Sequence, residues 1–316
     1  MLNQIPNKTD IIRAAELIEP YINRTPVLTS STFNHIYHSN LFFKCENFQK
    51  VGAFKSRGAV HAILNLTKEE IQRGVGTHSS GNHAQALARA AKLFDIPAYI
   101  VMPENSPKVK IEAVKNYGGI ITFCKPNLKA RESTLKEIID RTGATEVHPY
   151  DNYDIIAGQA TATKELLEDV PDLDLILCPV GGGGLLSGTA LAANYFSEKA
   201  KVIACEPTGA DDAYRSFNAG KIIPSISPDT IADGLLTSLG KRNFPIIQKY
   251  VSQIVTVDDD AIIKAMKLIY ERMKIVIEPS SAVPLAAIIE EKVNIEGKKV
   301  GIIISGGNVE LNTLPF

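Results

Sequence analysis

An apolar run, Asp174-Leu175-Ile176-Leu177-Cys178-Pro179-Val180, leads directly into Gly181-Gly182-Gly183-Gly184 and then Leu185-Leu186-Ser187-Gly188. The order spells a strand, a turn without Cβ atoms and a helix start. Each glycine costs roughly 0.5–1 kcal/mol relative to alanine in regular structure, so four in a row are an expensive way to make a bend. What they offer is close approach: backbone N–H groups converge on one anion at the positive end of a helix. A phosphate site is expected here, with a plain tight turn as the alternative. The run does not fit Gly-x-Gly-x-x-Gly, whose last glycine falls on Leu186 or Ser187, and no Gly-x-x-x-x-Gly-Lys-Ser/Thr occurs. Dinucleotide and P-loop nucleotide sites are disfavoured, although Glu206 after Val202 to Cys205 makes half of a Rossmann fingerprint.

From about residue 75 short β-rich runs alternate with longer periodic ones. Strands are expected at Val75 to His78, Ala98 to Met102, Ile120 to Cys124, Thr145 to Pro149 and Leu173 to Val180. Helices are expected at Asn82 to Phe94, Pro107 to Tyr117, Leu128 to Arg141, Asp154 to Val170 and Leu185 to Phe196. This α/β order favours open, mostly parallel twisted sheets covered by helices. With no repeat or low-complexity tract to divide the chain, the βα series does so: 73–148 is expected as a small domain inserted into a large one, 1–67 and 150–316.

Composition narrows the class. Across 316 residues, 34 basic and 35 acidic side chains leave a net charge of −1, which argues against a nucleic-acid or polybasic membrane binder. No apolar leader and no membrane-length apolar stretch is signalled, so a cytoplasmic enzyme is expected. Cys45, Cys124, Cys178 and Cys205 form no Cys-x-x-Cys pair and read as buried free thiols; His35 and His38 read as a surface pair.

Three further segments carry polar chemistry. Ser79-Ser80-Gly81-Asn82-His83 lies between a strand and a helix, where it either cradles a carboxylate or serves as an ordinary cap closed by Ser80. Phe54-Lys55-Ser56-Arg57-Gly58 precedes the apolar helical run Ala59 to Leu66; alone, its lysine reads as a solvated side chain. Ser305-Gly306-Gly307-Asn308 ends another apolar strand, Ile302 to Ile304, and alone reads as a loop.

Together these motifs resemble the fold-type II pyridoxal-phosphate enzymes of the tryptophan-synthase-β-like fold, most closely the serine racemase and serine/threonine dehydratase group. Thr25-Pro26-Val27-Leu28, Ile156-Ala157-Gly158-Gln159, Ile231-Ala232-Asp233-Gly234 and Glu271-Arg272-Met273-Lys274 extend the likeness along the chain. The resemblance implies that Lys55 forms the Schiff base with pyridoxal 5'-phosphate. Asn82 would contact the ring hydroxyl, Gly181, Gly182, Gly183 and Gly184 the phosphate, and Ser305 the pyridine nitrogen, with Phe54 and Gly234 flanking the ring. Ser79, Ser80, Asn82, His83 and Arg131 would hold the substrate carboxylate. The implied reaction converts L-serine or L-threonine to a 2-oxo acid and ammonia. Ser80 opposite Lys55 would add racemisation, which needs a proton carrier on each face.

The same resemblance implies a magnesium or calcium site from Glu206, Asp212 and the Ala210 carbonyl, whose oxygen ligands suit a hard cation. It also implies an activating ATP site at Ser30, Ser31, Thr32, Lys50, Gln85, Tyr117, Lys274 and Asn308, and a homodimer. Thr32, Val51 and Tyr150 depart from the group's usual residues. Nine residues after Gly307 leave no room for a C-terminal regulatory domain, so isoleucine feedback is not expected. A 3-hydroxyaspartate dehydratase is the runner-up; it would need a further polar or basic group that Leu235-Leu236-Thr237-Ser238-Leu239 does not offer clearly. A silent phosphate-ligand binding protein is the non-enzymatic alternative.

Overall fold

A computed structural model describes residues 1–106 and 108–316; Pro107, expected to open the helix that runs to Tyr117, lies outside the described residues. Among the described residues the strands are β1 (Val27–Thr29), β2 (Asn40–Cys45), β3 (Val75–His78), β4 (Ala98–Pro103), β5 (Ile120–Cys124), β6 (Thr145–Glu146), β7 (Leu175–Pro179), β8 (Lys201–Pro207), β9 (Val251–Val257) and β10 (Lys299–Ile304). One sheet has the order β1-β2-β10-β7-β8-β9, with β1 antiparallel to β2 and every other pair parallel. The other has the order β5-β4-β3-β6, all parallel.

The six-stranded sheet is apolar because helices cover both of its faces. All five residues of β7 are buried, and Ile302 of β10 lies in register with Phe43 of β2 and Leu177 of β7 inside one core. Cys45, Cys124, Cys178 and Cys205 are all buried free thiols. Among the described residues no helix is long and apolar enough to cross a membrane.

Two boundaries differ from expectation. The run Thr145 to Pro149 pairs as a strand only over Thr145–Glu146. Pro149 has no N–H to donate, and His148 Nδ1 accepts from the Asp151 amide at 2.9 Å, turning the chain out of the sheet. The apolar run after Lys55 belongs to a helix spanning Lys55–Leu64, so the lysine stands in its first turn. That helix crosses the Tyr153–Asp169 helix closely: a Cβ on Gly158 would lie 2.6 Å from Gly58 Cα.

The strand order also fixes where a ligand can sit. In one sheet the chain steps from β7 to β8 and β9 on one side and returns through β10 on the other. In the other sheet β4 and β5 lie to one side of β3 and β6 to the other. These reversals leave crevices beyond the carboxyl ends of the strands, the usual ligand position in open α/β sheets. The turns leaving β3, β6, β7 and β10 carry Ser79–His83, His148–Tyr150, Gly181–Gly184 and Ser305–Asn308.

Candidate active site

Lys55 projects from its helix into this crevice, where Nζ donates to the Pro149 carbonyl at 2.7 Å. Burial lowers its pKa to about 8, partly opposed by the charge of Glu278. An amine with that value is about a tenth unprotonated at pH 7 and half unprotonated at pH 8, far more than an ordinary lysine, which favours a role as nucleophile or base. Its neighbour Phe54 places a ring centroid 5.1 Å from Nζ and donates its backbone N–H to Ser305 O at 3.0 Å.

Several helices are closed by side chains: Asn7, Thr67, Asn127 and Asn152 each accept from the first turn of the helix they precede, whereas the helices Asp212–Ala219, Asn243–Tyr250 and Asp259–Met273 are not. The helices that begin at Lys55, Asn82, Gly184 and Pro279 have no side-chain cap. Four helix N-termini without a side-chain cap thus border the crevice. Of the two alternatives for the Ser79–His83 loop, the cap by Ser80 is not formed; Gly81 occupies that position.

The tetraglycine turn is the sharpest case. All four glycines are buried, and among the described residues none of their amides donates to another group of the chain. Buried N–H groups are almost always paired, so these require an acceptor from elsewhere. Gly183 stands at φ +92°, in the left-handed region, and a Cβ on Gly182 would meet the Tyr150 ring at 2.4 Å.

A carboxylate absent from the sequence reading lies across the crevice. Glu278, 4% exposed, accepts from Asn82 Nδ2 through both oxygens at 3.0 Å and from the Asn308 amide at 3.3 Å. Asn308 Nδ2 donates to Asn82 Oδ1 at 2.9 Å. Burial pushes Glu278 up to about 7, with the Asn82 donation acting against it. Gly234 belongs to the same group, donating its amide to Ser280 Oγ at 3.1 Å. Ser305 Oγ lies 2.9 Å from Ser281 Oγ, which donates to Gly306 O at 2.7 Å and accepts from Gly306 N at 2.8 Å. No local motif announces Glu278 or Ser281; their partners lie across the fold.

The polar loop is only partly as expected. Ser80 makes no side-chain hydrogen bond among the described residues, whereas Ser79 Oγ accepts from the Gly81 amide at 3.3 Å. His83 Nε2 donates to Val147 O at 3.0 Å, leaving Nδ1 without a partner. Burial and the nearby Lys55 hold this ring well below the ordinary histidine range, so it is neutral and has no second proton. What position 83 can offer a carboxylate is its backbone amide. Arg131 makes no ion pair among the described residues and its Nε is buried without an acceptor. His148 is held near 4 by burial and by His78, and its Nδ1 is occupied by the Asp151 amide, so its remaining donor is Nε2.

The chain matches the family described as pyridoxal-phosphate dependent enzyme over residues 18–306. It belongs to that family. A serine racemase from Dictyostelium discoideum is 52% identical over 309 residues, covering 96% of this chain and 95% of that protein. The crystal structure of that racemase superposes with a TM-score of 0.93, covering 96% of this chain and 99% of that one. A β-hydroxyaspartate dehydratase from Paracoccus denitrificans is 48% identical, covering 99% of both chains. The threonine deaminase of T.th. superposes with a TM-score of 0.92 at 39% identity, covering 97% of this chain and 99% of that one.

The residues present in this pyridoxal-phosphate dependent enzyme fit its cofactor. A phosphate dianion needs several donors and no intruding side chain, which the unpaired glycine amides would provide; an aldehyde needs an amine that loses its proton readily, and Lys55, lowered to about 8, would supply it.

The two remaining residue groups differ in how the fold gathers them. Glu206 Oε1 and Oε2 accept from the Ala213 and Tyr214 amides at 2.9 and 2.8 Å, and Asp212 Oδ2 accepts from Leu239 N at 3.1 Å. Asp212 Oδ1 is buried and unpaired, and burial raises Glu206 to about 9 and Asp212 to about 6. Among the described residues no cluster of three His, Cys, Asp or Glu could hold a metal, so any such set depends on the Ala210 carbonyl. Of the eight candidate effector residues, Gln85 and Asn308 line one cavity of about 540 Å³; Ser30, Ser31, Thr32, Lys50, Tyr117 and Lys274 are not part of its wall. Ser30 instead caps the helix Ser31–Ile36.

Proposed function

We propose that the enzyme converts L-serine and L-threonine to the 2-oxo acid and ammonia, and also interconverts the serine enantiomers. The desolvated Lys55 amine in a crevice bordered by four helix N-termini without side-chain caps carries this reading. When bound, pyridoxal phosphate would supply the electron sink that lets an amino acid Cα–H bond break under mild conditions. Lys55 would hold it, Gly181 to Gly184 would take its phosphate, and Phe54, Asn82, Gly234 and Ser305 would surround the ring.

The chain's own residues then divide the work. Lys55 takes the Cα proton, its low pKa supporting the role of base. The amides at the start of the Asn82–Leu93 helix, with Ser79 and Arg131, orient the substrate carboxylate. Ser80, with a hydroxyl free of internal bonds, carries the proton on the other face. Residues 73–148 act as the small domain that closes over substrate and excludes water. The Lys110–Asp233 ion pair, 2.7 Å across that boundary, supports closure.

A second substrate reading, 3-hydroxyaspartate, is favoured by a specific observation. Arg131, whose charge is felt by His78, and His148, whose ring centroid lies 6.0 Å from that of His78, bring further polar groups to the end of β3 beside the Ser79–His83 loop. Glu206, Asp212 and the Ala210 carbonyl would hold a magnesium or calcium ion, for which the unpaired Asp212 oxygen is the support. ATP would act as an activator through the cavity at Gln85 and Asn308. A cytoplasmic homodimer completes the reading.

The decisive experiment incubates purified enzyme with L-serine, D-serine, L-threonine and 3-hydroxyaspartate, with and without magnesium and ATP, and follows oxo-acid release and enantiomer exchange. Turnover of serine with exchange supports the proposal. Turnover of 3-hydroxyaspartate alone moves the assignment to the second reading. A colourless protein with no cofactor fixed to Lys55 by borohydride would mean a binding protein instead.

A further inference from the structure

Two residues after Lys55, on the opposite side of the helix, a fully buried guanidinium is locked into a cage of charge. Residues i and i+2 of a helix point about 200° apart, so Lys55 faces the crevice while Arg57 faces the interior. Arg57 Nε and Nη2 donate to the Glu46 oxygens at 2.7 and 2.8 Å. Nη1 and Nη2 donate to Glu165 at 2.7 and 2.8 Å, and further bonds reach Thr161 Oγ1 at 3.1 Å and Thr25 Oγ1 at 3.4 Å. Lys44, also fully buried, reaches Glu165 at 2.6 Å. Two cations and two carboxylates thus form a closed set with no net charge.

The partners are arranged to hold one helix. Gly158, Thr161 and Glu165 stand at i, i+3 and i+7 on the Tyr153–Asp169 helix and so share the face that meets the Lys55–Leu64 helix. Gln159 of that helix accepts from the Gly58 amide at 3.1 Å, closing part of a first turn that has no cap of its own. The Gly58–Gly158 contact fixes how close the two helices lie; Arg57 fixes how the shorter one is turned about its axis.

We propose that Arg57, held between Glu46 and Glu165, is a positioning residue that sets the orientation of the Lys55 amine in the crevice. A buried ion set of this kind is weak evidence for added stability, since apolar residues of similar volume often do as well or better. It supplies direction: two bidentate forks define a plane, and the helix bearing Lys55 cannot rotate without breaking both. The proposal rests on Lys55 being the cofactor lysine, and the test separates the two.

The test fixes the cofactor to its lysine with borohydride in the holoenzyme, counts labelled Lys55 by mass spectrometry across a pH series, and measures kcat, KM and Tm. Arg57→Lys keeps the charge but cannot serve both carboxylates at once. The expected result is a several-fold loss of labelling, a shifted pH midpoint and a fall in kcat on the order of 100-fold with KM near the parent's, the scale of a small misplacement of a reacting group. Arg24→Met, which breaks exposed ion pairs to Glu168 and Asp169 on the same long helix, should leave labelling and its pH midpoint unchanged. If Arg57→Lys does not fold, Thr161→Val, which removes one bond to Nη1, is read in the same way. Parental labelling and pH midpoint in the folded variant, whatever its Tm, overturn the inference. A parent without label on Lys55 overturns the lysine's role and this inference together.

Discussion

Asn82 Nδ2 sits 3.0 Å from each oxygen of the Glu278 carboxylate, joining the loop after β3 to the start of the helix that opens at Pro279. The carboxyl group is therefore buried between two parts of the chain, and its charge is felt by Lys55.

Replacing it should be visible in pH dependence. Glu278 is raised from 4.5 to about 7, so the folded chain holds this proton more firmly than the unfolded one. Stability from this group is fully present below the unfolded value and is lost as pH rises through about 7, a difference on the order of 3 kcal/mol. Glu278→Gln should flatten the stability profile of the cofactor-free protein between about pH 5 and pH 8, measured by urea unfolding. Without the nearby negative charge the Lys55 amine should titrate lower, moving the acid limb of kcat/KM to lower pH.

Ser80→Ala should separate the two proposed activities. Exchange between D- and L-serine should fall by roughly 10²–10⁴-fold, while oxo-acid release, which needs one base, persists. Enantiomer exchange at the parental rate would remove Ser80 from the mechanism.

Gly182→Ala would drive a methyl group into the Tyr150 ring, 2.4 Å away, at the turn proposed to hold the cofactor's phosphate. A cost of roughly 1–3 kcal/mol is expected from overpacking alone. Cofactor dissociation measured by fluorescence should accelerate more than the loss of Tm would suggest.

Magnesium should raise the Tm of the enzyme and Asp212→Asn should abolish that rise. At about 100 times its dissociation constant a ligand stabilises by ~2.7 kcal/mol. An unchanged Tm across a magnesium titration of the parent would refute the cation site.

Some of this molecule is readable locally and some is not. Val75–His78 and Ile120–Cys124 form strands at the limits their residue pattern suggests, because β-rich composition and flanking breakers act over a few positions. The tetraglycine turn is equally plain, since its meaning lies in the absence of side chains. Glu278 carries no such mark: it acts through Asn82, 196 residues away in sequence. Arg57 lies inside a motif that draws attention, yet nothing local shows that Glu46 and Glu165 enclose it, the latter 108 residues on. The state of the His83 ring is hidden for a related reason. Its donor is engaged by Val147, and only the packing of β6 beside β3 brings that carbonyl within reach.

If the tetraglycine turn holds the cofactor's phosphate, its amides would tie the enzyme's survival to nutrition. A newly made chain that has not met its vitamin would carry buried donors with no acceptor from the described chain. It should therefore be the form that opens, is digested and disappears first, so that scarcity of vitamin B6 would thin the population of this protein as well as idle it.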